Sequence, residues 1–290
     1  MHPKAAISAV LLSLALAAAP AACASPPVET AMTAPETHTF QSFDGTTLSY
    51  LELGDGPVVL LLHGFTANAD LNWVRPGVAQ KIADAGYRVI APDMRGHGAS
   101  PVPDDPASWP RDAIARDQIA LMKHLGTEPY AVVGYSMGAI SALRYELLSR
   151  SSGRLVLGGV GDSVADESNS SRNDGFRAAI EAAMRGEDTP AAKAILARAK
   201  ASGGTLEGYL GALSARIYTG RDLLETFDLP VLVITGDQDT DNGSGAALAE
   251  IIPGARYKQI TGTHVSAVGD PALPEAIIAF LNEGRQALAE

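Results

Sequence analysis

Short apolar runs alternate with helix-like segments along most of the chain. Two segments of alternating polarity, residues 37–43 and 46–53, flank Asp44-Gly45, a turn signal that is typical of a β-hairpin. Continuous apolar runs follow at 58–62, 88–91, 130–133, 154–160, 230–235 and 257–260. Helical spacing predicts helices at 78–85, 112–125, 139–148 and 271–287. Continuous apolar strands separated by helices are typical of a parallel sheet covered on both faces, so the pattern predicts an α/β fold.

The alternation of strands and helices breaks between residues 163 and 228. Apolar residues recur there at helical spacing in two groups: Phe176, Ile180 and Met184, then Leu206, Leu210, Leu213 and Ile217. A helical insertion in a parallel sheet is expected over the carboxyl ends of the strands, where ligand sites of α/β proteins form. We therefore predict one domain over residues 37–290, with a helical lid at 163–228.

The first 24 residues have the composition of a secretory signal peptide. Lys4 is their only charged side chain, and Ala5 to Ala19 is apolar apart from two serines. Ala22-Cys23-Ala24 fits cleavage after Ala24, but Cys23 also stands where bacterial lipoproteins carry a lipidated cysteine. The segment predicts export to the periplasm or the exterior, with Cys23 as a candidate lipid anchor and residues 25–36 as a flexible leader.

Composition narrows the classes of function that remain. The 290 residues carry a formal net charge of -11, with 33 acidic against 22 basic side chains, so no nucleic-acid partner is expected. A single cysteine excludes an internal disulfide or a cysteine-based zinc cluster.

A serine in a glycine-rich turn is the first candidate for chemistry. The strand at 130–133 leads into Gly134-Tyr135-Ser136-Met137-Gly138 and then into a helix. This G-x-S-x-G pattern projects a nucleophile from a sharp turn, which requires small residues two positions before and after the serine. The amides that begin the helix would stabilise negative charge beside Ser136.

A nucleophilic serine needs a base. Of the six histidines, His264 lies in the loop between the last predicted strand and the final helix. His63 and His97 lie in glycine-containing turns after strands, and we expect them to brace those loops. His264 is therefore the predicted base.

The base in turn needs an acid that orients it. Asp239 follows the strand at 230–235 and is the predicted acid, with Asp237 and Asp162 as alternatives. The resulting chain order, Ser136, Asp239, His264, is one known triad arrangement and differs from the chymotrypsin and subtilisin orders.

These motifs together resemble those of the α/β-hydrolase superfamily. In chain order they are His63-Gly64-Phe65, Asp93-Met94-Arg95-Gly96-His97-Gly98-Ala99-Ser100, Gly134-Tyr135-Ser136-Met137-Gly138, Gly236-Asp237-Gln238-Asp239 and Thr263-His264. The resemblance covers nearly all of the chain after the leader and implies that fold: a mostly parallel, twisted sheet flanked by helices. The family usually has glycine where this chain has Thr263.

The resemblance also implies a role for each site residue. Ser136 would be the nucleophile, His264 the base and Asp239 the acid, and the backbone amides of Phe65 and Met137 would form the oxyanion hole. It implies no metal and no cofactor. Serine at position 136 argues against the epoxide-hydrolase and dehalogenase branches, whose nucleophile is an aspartate.

The predicted function is cleavage of a small or medium carboxylic ester through an acyl-enzyme on Ser136. Phe65, Trp73 and the helical insertion are expected to shape the substrate pocket, although Trp73 alternatively packs beneath the loop. A lactonase, a lipase or a carbon-carbon bond hydrolase with the same triad stays open, as does a non-catalytic binding protein, because the fold alone does not separate them.

Overall fold

The computed structural model describes residues 34–103, 105–166 and 171–289. Its strands are β1 Glu36–Gln41, β2 Thr47–Leu53, β3 Val58–Leu62, β4 Arg88–Pro92, β5 Ala131–Tyr135, β6 Leu155–Gly158, β7 Val231–Gly236 and β8 Arg256–Ile260. They form one sheet in the order β1-β2-β4-β3-β5-β6-β7-β8. β2 pairs antiparallel with β1 and β4, and every other pair is parallel. The predicted signal peptide, Cys23 and residues 25–33 of the leader lie outside the described residues.

Helices cover both faces of the sheet, and further helices lie in the insertion between β6 and β7. They are α1 Val78–Asp84, α2 Ala113–Leu125, α3 Met137–Ser149, α4 Ser171–Met184, α5 Pro190–Ser202, α6 Leu206–Ala215, α7 Arg221–Leu224, α8 Gly245–Ile251 and α9 Ala272–Ala289. Within the described ranges, none of them combines the length and the apolar character needed to cross a membrane.

The central strands explain why the sequence shows continuous apolar runs. Every residue of β3, β5, β6 and β7 is buried. Leu60 and Leu62 of β3 belong to one apolar core, with side chains of α2, α3 and α8, whereas Leu61 belongs to a second core with α1 and α9. Burying one such side chain stabilises the fold by roughly 1.5–3 kcal/mol. The predicted α/β fold, a mostly parallel sheet flanked by helices, is thus confirmed.

Two of the differences from the predicted strand ends affect the site and the insertion. β5 extends to Tyr135, two residues beyond the predicted strand, and so brings the chain directly to Ser136. β6 ends at Gly158 instead of Val160, because Gly159 has a φ of 62° and leaves the extended conformation. This bend takes the chain out of the sheet and into the insertion.

Four α-helices, α4 to α7, lie in the described part of the stretch between β6 and β7. Three of them enclose a small apolar core that includes Ile180 of α4, Ile195 of α5 and Tyr209 of α6. The apolar spacing anticipates α4 and α6, but Met184 is 47% exposed and Ile217 follows the end of α6. No predicted segment corresponds to α5.

Candidate active site

Ser136 lies in a strained turn between β5 and α3. Its φ of 56° and ψ of -117° are rarely adopted by a residue with a side chain. A Cβ at Gly134 would lie 2.2 Å from the carbonyl oxygen of Gly138, and a Cβ at Gly138 would lie 2.0 Å from that of Leu62. The close approach of strand and helix therefore requires both glycines of the motif. The turn leaves Ser136 partly exposed.

Ser136, His264 and Asp239 come together in one hydrogen-bonded row. His264 Nε2 lies 2.9 Å from Ser136 Oγ, and His264 Nδ1 lies 3.0 Å from Asp239 Oδ2. The side chain of Asp239 is 2% exposed and that of His264 is 12% exposed. Because a buried carboxylate fixes which ring nitrogen carries the proton, this geometry leaves Nε2 free of a proton and facing the serine hydroxyl.

The alternative carboxylates serve the surrounding loops. Asp237 Oδ1 accepts the backbone N–H of Gly262 at 2.8 Å, and Asp162 Oδ1 accepts that of Ser244 at 2.7 Å. Neither contact involves the imidazole. Of the predicted acid and its two alternatives, the structure brings only Asp239 to His264.

Tyr135 supports the histidine from the strand side. Its Oη donates a hydrogen bond to the carbonyl oxygen of His264 at 2.8 Å. Burial, followed by the charges of Asp239 and Asp241, raises the pKa of Tyr135, so its hydroxyl keeps the proton that it donates. This contact links the residue before Ser136 to the loop of its base.

The predicted oxyanion amides flank the serine. Phe65 follows β3, and Met137 is the first residue of α3. A Cβ on Gly64 would lie 3.5 Å from the Cβ of Ser136, so the loop after β3 passes beside the nucleophile. Among the described residues, neither the Phe65 amide nor the Met137 amide has a backbone or side-chain acceptor. Both N–H groups are available to a ligand oxygen.

The loop after β3 is held from below by two buried side chains. Asn72 Oδ1 accepts the backbone N–H of Gly64 at 2.8 Å. His63 Nδ1 donates to the carbonyl oxygen of Gly64 at 2.8 Å, while its Nε2 accepts the N–H of Met94 at 3.0 Å. Burial lowers the pKa of His63 to about 4, so the ring is neutral and can make both contacts. Asn72 had no signal in the sequence.

A cavity of about 560 Å³ opens at Ser136 and His264. Apolar side chains from the loop after β3, from α3, from the insertion and from the segment after β8 line it: Phe65, Leu71, Ile140, Phe176 and Val268. Phe65, one of the predicted pocket residues, is thus part of the cavity wall.

Trp73 requires a correction, because it does not line this cavity. The side chain is 1% exposed and belongs to the apolar core beneath α1 and α9. A short π-helical turn, Asp70–Val74, directs the indole inward and leaves Leu71 and Asn72 on the cavity side. The alternative interpretation, packing beneath the loop, describes its position.

One group of side chains in the described ranges could also hold a metal ion. The ligand atoms of Asp239, Asp241 and His264 lie within 4.8 Å of one another. A cation on His264 Nδ1 would displace the proton that this nitrogen shares with Asp239. The 2.9 Å contact between His264 and Ser136 favours proton transfer as the use of this group.

The chain is similar to several known proteins in sequence and in fold. A family model described as the α/β hydrolase fold matches residues 57–179. A non-heme chloroperoxidase of Kitasatospora aureofaciens is 30% identical over 76% of this chain and 89% of its own length. An epoxide hydrolase of Siraitia grosvenorii is 35% identical, but the match covers 36% of this chain and about a third, 32%, of that protein. The structure of an esterase from Rhodococcus sp. ECU1013 superposes with a TM-score of 0.62 and 26% identity, covering 85% of this chain and 98% of the esterase.

Proposed function

Since the chain belongs to the α/β-hydrolase superfamily, we propose that it is a serine hydrolase that cleaves small or medium carboxylic esters through an acyl-enzyme on Ser136. One observation carries the proposal: His264 contacts Ser136 through Nε2 at 2.9 Å and the buried Asp239 through Nδ1 at 3.0 Å. The similarity to the Rhodococcus esterase adds support.

The first half of the reaction forms the acyl-enzyme. His264 Nε2 takes the proton of Ser136 as Oγ attacks the ester carbonyl, and Asp239 stabilises the resulting imidazolium. The amides of Phe65 and Met137 donate to the oxygen that becomes negative, and losing one such donor costs about 3 kcal/mol of transition-state stabilisation. His264 then returns the proton to the departing alcohol.

The second half regenerates the enzyme. Water gives a proton to His264 Nε2 and attacks the acyl carbonyl, and the carboxylic acid leaves as Ser136 regains its proton. A serine nucleophile favours esters over epoxides, because attack on an epoxide would leave an ether on Ser136 that activated water does not cleave.

A fluorophosphonate probe tests the proposal directly, since it modifies serines that are activated as nucleophiles. The wild-type protein should be labelled and should hydrolyse p-nitrophenyl acetate or butyrate, whereas Ser136→Ala should do neither. Ser141→Ala is a matched control, because Ser141 lies on α3 and its hydroxyl donates to the carbonyl oxygen of Met137 at 2.9 Å. A folded wild-type protein that resists the probe and cleaves no ester would overturn the proposal.

We also propose that the protein is exported, on the composition of residues 1–24. Lipidation at Cys23 and cleavage after Ala24 give different products, a membrane-bound form and a soluble one. Fractionation of cells that express the full chain or its Cys23→Ser variant separates them. Retention of both in the cytoplasm would overturn the export proposal.

A further inference from the structure

Among the described residues, the charged side chains that line the cavity carry one sign. They are Arg75, Arg198 and Arg216, and no aspartate or glutamate is among the described lining residues. This contrasts with the whole chain, whose formal net charge is -11. A cavity with fixed positive charge favours anionic ligands over neutral ones.

The three arginines differ in the groups that their guanidinium contacts. Arg75 Nε lies 2.7 Å from Asp70 Oδ2, so its charge is already compensated. The Arg216 guanidinium lies 5.4 Å from the ring centre of Tyr218. Arg198 contacts only a neutral hydroxyl, Thr66 Oγ1 at 3.5 Å, and forms no ion pair with any carboxylate in the described part of the chain. Its side chain is exposed, and four of its five N–H donors have no acceptor among the described residues.

Arg198 lies in the wall of the cavity that holds Ser136, beside the loop that carries Phe65. Arg198 lies on α5, and Ala201, one turn further along, lines the same cavity. Thr66, its contact, directly follows the oxyanion residue Phe65. The helix is tied to that loop, because Asn68 Nδ2 donates to the carbonyl oxygen of Ser202 at 2.9 Å.

We propose that Arg198 binds a carboxylate of the substrate, so that the preferred ester is anionic, such as the monoester of a dicarboxylic acid. The proposal rests on the proposed function for the bond that is cleaved. A planar guanidinium matches a carboxylate with two parallel hydrogen bonds, which adds orientation as well as affinity. The apolar walls contributed by Phe65 and Phe176 suit the hydrocarbon spacer between the two carboxyl groups.

Matched substrate pairs test the charge requirement at each end of the ester. For the acyl end, the p-nitrophenyl monoester of glutaric acid is compared with p-nitrophenyl valerate. For the alcohol end, 3-acetoxybenzoate is compared with 3-acetoxybenzamide. In the wild type, kcat/KM should favour the anion in one of the two pairs, and that pair identifies which end faces Arg198.

Arg198→Gln should lower that preference about 10- to 100-fold, mainly through KM, as expected for the loss of a charged hydrogen-bond donor that binds substrate and transition state equally. Lys200→Gln removes the same charge from another exposed position on α5, one that does not line the cavity, and it should keep the wild-type preference within about twofold. If Arg198→Gln keeps the wild-type preference in both pairs, the proposal is wrong.

A binding measurement separates this proposal from the proposed function. Calorimetric titration of Ser136→Ala with glutarate and with 3-hydroxybenzoate, the anionic products of the two ends, requires no turnover, and the affinity for one of them should fall at least about tenfold in Ser136→Ala/Arg198→Gln. If binding of one of these anions depends on Arg198 but the protein cleaves no ester, the anion site stands and the proposed esterase activity is wrong. No binding, or equal binding by both variants, would reject the anion site whether or not esters are cleaved.

Discussion

Asp239 Oδ2 accepts a 3.0 Å hydrogen bond from His264 Nδ1, and the side chain of Asp239 is 2% exposed. The neighbouring Asp241 lies 4.0 Å from the same ring nitrogen and is 44% exposed. Solvent screens an exposed charge strongly, and at 4.0 Å no hydrogen bond orients the ring. Two carboxylates two residues apart thus have different relationships to one imidazole.

Asp239→Asn should therefore lower kcat by about 10³- to 10⁴-fold, because an amide can hold the ring with the proton on the wrong nitrogen. Asp241→Asn should stay within about threefold of the wild type. Steady-state hydrolysis of a p-nitrophenyl ester measures both. Full activity in Asp239→Asn, or equal losses in the two variants, would refute the assignment of the acid.

Asn72 is expected to position the oxyanion loop through its hydrogen bond to Gly64. Asn72→Ala leaves the buried N–H of Gly64 unpaired and releases the loop that carries the Phe65 amide. A displacement of about 1 Å at such a site costs roughly 100-fold, so kcat should fall about 10- to 100-fold with little change in KM. Leu71→Ala, next along the cavity wall, should change KM instead. A change confined to KM in Asn72→Ala would contradict the positioning role.

The geometry of Ser136 and His264 could be anticipated from the sequence because local constraints reveal it. Gly134 and Gly138 are needed wherever a strand and a helix meet this closely, so the turn leaves its mark in adjacent residues. The central strands were equally evident, because burial on both faces produces continuous apolar runs.

Features set by tertiary contacts could not be anticipated in the same way. The buried face of α5 is formed largely by alanines, such as Ala192 and Ala199, which give a weak apolar pattern. Its start is marked only by Thr189, whose Oγ1 accepts the N–H of Ala192 at 3.1 Å, and by the proline that follows. Because the sequence pattern did not predict α5, it also did not point to Arg198 on that helix. The prediction that Trp73 lines the pocket was wrong for a related reason, because the direction of its side chain depends on a π-helical turn.

Replacing a tightly packed glycine by alanine and replacing a glycine with open space around it should have opposite effects on stability. Gly138→Ala places a Cβ 2.0 Å from the carbonyl oxygen of Leu62, so it should destabilise the protein by about 3 kcal/mol or more. Gly175→Ala lies in α4 with no atom within 4 Å of the added Cβ, and it should stabilise the protein by up to about 1 kcal/mol. Urea unfolding of both variants measures the difference. A stable Gly138→Ala protein would contradict the close packing of the nucleophile turn.

Burial of His63 makes the free energy of unfolding depend on pH. The pKa of His63 is about 4 in the folded protein, because burial disfavours the charged ring, against 6.5 for an unperturbed histidine. Between these values the unfolded chain binds more protons than the folded one. The contribution to the free energy of unfolding is therefore fully present above pH 6.5 and is lost as the pH falls towards 4, by about 3 kcal/mol in total.

His63→Gln should reduce this pH dependence by close to one proton, or about 1.4 kcal/mol per pH unit in the middle of the window, because glutamine does not titrate. Urea unfolding at a series of pH values between 7 and 4 measures the slope for each protein. His124→Gln, on an exposed position of α2, removes a histidine without touching this site. If wild type and His63→Gln lose stability with the same slope, His63 is not the buried neutral group that holds the carbonyl of Gly64.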